Sequence, residues 1–188
     1  MSKVVSASIA AAGLAVGILV ITSAPLRAHF VPAPCDFITG GGFIFTDSGE
    51  KANFGAHGGC KNGGFWGNVN YVDHGGYMGS SPYHVKSTEI TGYLSDADFP
   101  NSRDICGFAR TSADETVRFR VRMEDNGEPG RDDRFGIRLS NGYHVSTRLL
   151  GDGGPGGGNI QLHKPNPSTT GPNPAPLEVE ACGDLITP

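Results

Sequence analysis

Residues 117–150 read VRFRVRMEDNGEPGRDDRFGIRLSNGYHVSTRLL, and the alternation in this stretch decides the fold class. Val117, Phe119, Val121 and Met123 alternate with Arg118, Arg120 and Arg122, so one face is buried and the other solvated, the period of a strand. Arg134–Leu139 repeats the pattern, with Phe135, Ile137 and Leu139 inward and Arg134, Gly136 and Arg138 outward. The turn that follows tests the register. A two-residue Asn141-Gly142 loop sets Leu139 opposite His144 and mixes the faces. A three-residue loop, Ser140-Asn141-Gly142, sets Leu139 opposite Tyr143, Ile137 opposite Val145 and Phe135 opposite Thr147. Only the second keeps the faces apart, and it predicts a bulged hairpin closed by a left-handed Gly142.

Outward from this hairpin the chain continues as short β-like runs separated by Gly, Asn, Asp and Pro, with no sustained helical period. Strands are predicted at Phe37–Phe45, Lys51–Gly55, Phe65–Val72, Tyr83–Leu94, Arg103–Thr111, Thr116–Met123, Arg134–Leu139, Tyr143–Leu150 and Asn159–His163. About nine short strands with Gly-rich loops point to an all-β, antiparallel β-sandwich or jelly-roll-like domain. From Lys164 the composition turns Pro-rich, predicting an extended, mobile connector in which Leu177–Val179 pairs briefly before Cys182.

The first 28 residues have the order of a secretory signal: Lys3, an apolar run from Val4 to about Ile21, then the small residues Ser23, Ala24 and Ala28. The same run read as an uncleaved anchor is nearly long enough to span a bilayer, the one route to a membrane in this sequence. The expected organisation is a signal at 1–28, a β-sandwich domain at 29–163 and a tail at 164–188 tethered through Cys182. Without Lys3 and Arg27, 13 basic side chains face 19 acidic ones, a formal charge of −6. That balance argues against nucleic-acid binding, which favours a basic footprint. Four cysteines in an exported chain read as disulfides, and of the three connectivities Cys35–Cys60 with Cys106–Cys182 is favoured because the second pair ties the tail to the body. The competing reading is a metal site, from the H-x-x-C spacing of His57 and Cys60.

Several motifs in order resemble a family of domains in secreted and surface bacterial proteins, the post-COAP domains. They are Gly40-Gly41-Gly42-Phe43, Lys51-Ala52-Asn53-Phe54-Gly55, Asn68-Val69-Asn70-Tyr71, and Asp125-Asn126-Gly127 leading to Asp133-Arg134-Phe135-Gly136-Ile137. The resemblance spans roughly Asp36 to Leu162. It implies an exported β-sandwich-like module and supplies no catalytic residues to carry over.

Three groups of residues carry candidate chemistry. Glu124, Asp125, Asn126, Glu128, Asp132 and Asp133 offer enough oxygens for the six to eight ligands calcium prefers, although the spacing is not that of an EF-hand. The same stretch also reads as a solvated hairpin loop, or as acids that fold back onto arginines. Arg118, Arg120, Arg122, Arg134, Arg138 and Arg148 share one outer face, where guanidinium groups suit the carboxylates or sulfates of an acidic polysaccharide; internal partners are the plainer reading. Phe65, Trp66, Tyr71, Tyr77 and Tyr83 serve either as sugar platforms or as core. The histidines His57, His74, His84, His144 and His163 show no ligand spacing, and no nucleophile elbow, zincin helix or phosphate loop is present.

These readings converge on a secreted or cell-surface module that binds or builds, stabilised by calcium, with an extracellular polysaccharide or another surface protein as partner. The alternative from another class is a small secreted glycan hydrolase, which requires a concave site with two carboxylates.

Overall fold

The computed structural model describes residues 29–188, so the expected signal segment lies outside the described residues. The strands are β1 (His29–Phe30), β2 (Phe37–Phe45), β3 (Lys51–Lys61), β4 (Gly64–Asp73), β5 (Tyr83–Asp96), β6 (Ser102–Thr111), β7 (Thr116–Glu124), β8 (Arg134–Leu139), β9 (His144–Leu149) and β10 (Gly158–His163). A 3-10 turn at Leu150–Gly153 precedes β10, and a short helix, α1 (Glu178–Cys182), lies in the tail.

The expected all-β antiparallel fold is what the chain adopts. Hydrogen bonding runs unbroken through one ten-stranded sheet, ordered β10-β2-β3-β4-β5-β6-β7-β8-β9, with β1 on β5. From β2 to β9 each strand neighbours the next in sequence, so the connectivity is a meander. A twisted sheet of this many strands curls, and it does so until Phe54 of β3 stacks on Phe135 of β8, centroids 3.9 Å apart. The inward positions of every long strand meet in one core: Ile38, Phe54, Tyr71, Val85, Phe119 and Ile137 are all buried.

Strand β3 is longer than the sequence predicts. It continues through the Gly-rich stretch to Lys61 because Ala56, Gly58 and Cys60 keep facing inward. The hairpin after β8 has the predicted three-residue loop: Leu139 N–H donates to Tyr143 O at 2.9 Å and Gly142 sits at φ 93°. Ile137 opposes Val145 as expected, but Phe135 opposes Arg148 and not Thr147. The slip occurs at Gly136, where a Cβ would lie 2.8 Å from the N and Oγ1 of Thr147; the bulge occupies the space a side chain needs.

Both expected disulfides are present, Cys35–Cys60 and Cys106–Cys182, with Cα separations of 5.9 and 5.1 Å. Such bonds persist in oxidising compartments, so they mark an extracytoplasmic protein. Among the described residues no helix is long and apolar enough to cross a membrane. The tail is fastened along its length. Ser168 O and Thr170 O accept the N–H groups of Asn62 and Gly63, each at 2.9 Å. Leu177–Val179 does not pair as the expected brief strand: Leu177 is the N-cap and Glu178–Cys182 forms α1, which covers the outer side of β5 and β6, where Leu94, Cys106, Ala181 and Cys182 make a second small core.

Candidate functional site

The acidic loop between β7 and β8 is a seam. β10 pairs only with β2, which leaves the N–H groups of Ile160 and Leu162 on its free edge. Asp133 Oδ2 accepts the first at 2.7 Å and Asp125 Oδ2 the second at 2.8 Å. Asp133 Oδ1 also accepts Asn126 N–H, and Glu128 Oε1 accepts the side-chain amides of Asn159 and Gln161 at 3.2 and 3.0 Å. Burial raises the Asp133 pKa, only partly opposed by the two N–H groups; the charges of Asp125 and Glu128 raise it further. Glu124 lies 4.0 Å from Arg134, and Asp132 is exposed. The expected calcium ligand set is not assembled. Among the described residues no group of three or more His, Cys, Asp or Glu side chains is placed to hold a metal ion.

The arginine row is divided by the tail. Arg120 and Arg122 are buried. Asp104 accepts Nε of both, at 2.9 and 2.8 Å, Arg120 Nη1 donates to Glu178 and to Leu185 O, and Arg122 Nη2 donates to Asp96. His29 of β1 closes the cluster, its Nδ1 3.0 Å from Glu178 Oε1. Burial would lift the Asp96 carboxyl, but bonds from Arg122 and the Asp98 N–H, with the Arg122 charge, hold it below the usual range. The other arginines are dispersed: Arg118 lies over Phe108, Arg134 is near Glu124, and Arg148 pairs with Asp47. Arg138 opposes His144 across the strands, and burial together with the Arg138 charge lowers the His144 pKa. Arg120 therefore holds the tail down, and the six arginines make no continuous anion-binding face.

The aromatic set also separates. Tyr71 and Tyr83 are fully buried, and Tyr71 OH, Tyr143 OH and Asp73 form a hydrogen-bonded chain with both links at 2.7 Å. Tyr77 packs edge-on against Tyr83 and Tyr143. Phe65, opposite buried Cys60, packs against the core, and Trp66 remains at the outer surface; both are half-buried.

Around Trp66 the outer face of β10, β2, β3 and β4 forms the candidate site. Its foot is aromatic: His163 stacks on Phe37 at 4.3 Å, and Trp66 lies 6.1 Å from Phe37 and 5.3 Å from His57. The indole N–H is held by Cys60 O at 3.2 Å, which fixes the ring. The next rows across the strands place Gln161, Thr39, His57 and Asn68 in register, and then Asn159, Gly41, Gly55 and Asn70. Gly41 and Gly55 leave an open strip without side chains: a Cβ on Gly55 would meet nothing within 4 Å, and one on Gly41 only backbone at 3.4 Å or more. Beside it, β4 pairs with β5 only from Asn70 to Asp73, while β1 takes the same edge of β5 at Ser95 and Asp96. Between these pairings a groove of about 340 Å³ opens, with Phe65 and Trp66 on one lip and Thr88, Glu89 and Ile90 on the other.

Four of the histidines that looked scattered in sequence lie here: His57 and His163 at the foot, His84 on β5 beside Val72, and His74 bonded to Asn53 at 2.8 Å. Asn53, Asn70, Gly41 and Gly55 entered the sequence reading only within the family-like motifs, with no binding role. The usable signal was the alternation in Lys51-Ala52-Asn53-Phe54-Gly55-Ala56-His57, whose odd positions all face outward. Chemically, side-chain amides offer a donor and an acceptor together, matching hydroxyl groups, and aromatic rings cover apolar ring faces. No family model, no curated protein and no solved structure matches the chain.

Proposed function

We propose that this chain is an exported, non-catalytic binding module that holds an extracellular polysaccharide on the outer face of β10, β2, β3 and β4. The observation that carries the reading is the open strip at Gly41 and Gly55, with neutral amides along it and Trp66, Phe37 and His163 at its foot. A pre-formed sheet face orders few side chains on binding, which lowers the entropic cost of holding a long polymer. The two disulfides support work outside the cytoplasm.

Affinity electrophoresis of the purified protein through gels cast with soluble polysaccharides tests this reading. Retardation by at least one polymer is expected, with loss in Trp66→Ala and Asn70→Ala at an unchanged unfolding midpoint. Equal mobility in every gel, or retardation indifferent to both substitutions, rejects it.

A further inference from the structure

The lysines gather around the proposed binding face. Every lysine after Lys3, namely Lys51, Lys61, Lys86 and Lys164, lies on or at the rim of the proposed binding face. Lys51 and Lys61 occupy outward positions at the two ends of β3, the strand that carries Gly55 and His57. Lys86 of β5 pairs across to Asn70, and Lys164 follows His163 directly. All four are exposed, and Lys51 Nζ rests 4.1 Å from the Phe43 ring centroid. The ion pairs among the described residues are all made by arginines or His29, and no lysine enters one. Three acids border the lysines: Glu128 beyond Gln161, Glu89 on the groove, and Glu50, which precedes Lys51 and lies against Gly75. A domain with a formal charge of −6 after residue 28 thus presents one face on which positive charge prevails.

Resting on the binding face proposed above, we infer that the ligand is an anionic polysaccharide, its carboxylate or sulfate groups neutralised by Lys51, Lys61, Lys86 and Lys164. The amides and rings between the lysines take the hydroxyls and the ring faces. Lysines suit this task because an ammonium on a flexible stem is a point charge that tolerates variable anion placement, unlike the directional fork of arginine. The negative charge on the rest of the domain opposes denser polyanions, and nucleic acid is therefore disfavoured. Attraction between exposed charges is screened by salt, so the binding weakens as ionic strength rises.

The test compares polygalacturonate and chondroitin sulfate with their carboxyl-reduced and desulfated counterparts, in affinity gels and by titration calorimetry of the purified protein. The expected result is stronger retardation by an anionic polymer than by its neutral counterpart. In Lys51→Gln/Lys61→Gln/Lys86→Gln/Lys164→Gln the Kd should rise on the order of 10-fold, with an unchanged unfolding midpoint and no change in Arg134→Gln. If the neutral counterparts bind equally and the lysine variant is unaffected, the inference falls and the binding face stands. If no polysaccharide of either kind is retarded, both fall. Equal retention of double-stranded DNA or phosphatidylserine vesicles also overturns the inference, because the lysines then read charge alone.

Discussion

Asp133 and Ile160 are joined by a hydrogen bond of 2.7 Å from the Ile160 N–H to Oδ2, and this contact fastens the β7–β8 loop to the free edge of β10. An uncapped edge strand is a template for pairing with another chain. Here two carboxylates, Asp133 and Asp125, supply the acceptors a further strand would have supplied.

Asp133→Asn should therefore destabilise the fold by about 1–3 kcal/mol, since each oxygen now accepts a backbone N–H and an amide nitrogen cannot. Because those carboxylates serve the seam, the unfolding midpoint should be the same in calcium and in chelator. A calcium-dependent rise of several degrees in calorimetry overturns this account of the loop.

Arg120 links β7 to Asp104 and to the tail at Glu178 and Leu185. Arg120→Ala strands buried carboxylate and should cost about 3–5 kcal/mol. Hydrogen exchange read by mass spectrometry should show faster exchange across residues 178–188 in this variant, whereas Arg134→Ala, at an exposed site, should leave that segment unchanged.

The two disulfides close loops of different length, with sequence separations of 25 and 76. On the chain-entropy account these contribute roughly 3.5 and 4.5 kcal/mol. Cys106→Ser/Cys182→Ser should thus lower stability more than Cys35→Ser/Cys60→Ser and expose the tail to limited proteolysis. The reverse order in denaturant titrations contradicts it.

Acidification should weaken the fold in two windows. His144 has its pKa depressed by burial and by Arg138 from the ordinary 6.5, so its contribution is complete above that value and is lost as pH falls through the folded pKa. Asp96 is lowered from 3.8, against burial, by Arg122 and the Asp98 N–H, so its contribution is lost further down, as pH falls below about 4. Unfolding free energy measured against pH should lose the upper decline in His144→Gln and keep the lower one.

Much of the fold was legible because alternation is a local property. The pattern of Val117–Met123 and Phe135–Leu139 sets which side chains face inward, and the three-residue turn at Ser140–Gly142 follows from keeping those faces matched. The slip at Gly136 was not legible, since it depends on how closely Thr147 approaches from β9. Nor was the full length of β3, whose glycines weaken the local signal while the core accepts them.

The candidate chemistry divided along the same line. Sequence by itself determined that six arginines alternate outward and that six acids and amides cluster after β7. What covers them is a matter of distance along the chain. The tail brings Glu178 and Leu185 over Arg120 from residues 58 and 65 positions away, and β10 brings Ile160 to Asp133 across 27. Buried charges and unpaired edge N–H groups are costly, so such partners are found wherever the curled sheet places them. The lysine-framed face was built the same way, from positions on β3, β4, β5 and β10 that only strand register sets side by side.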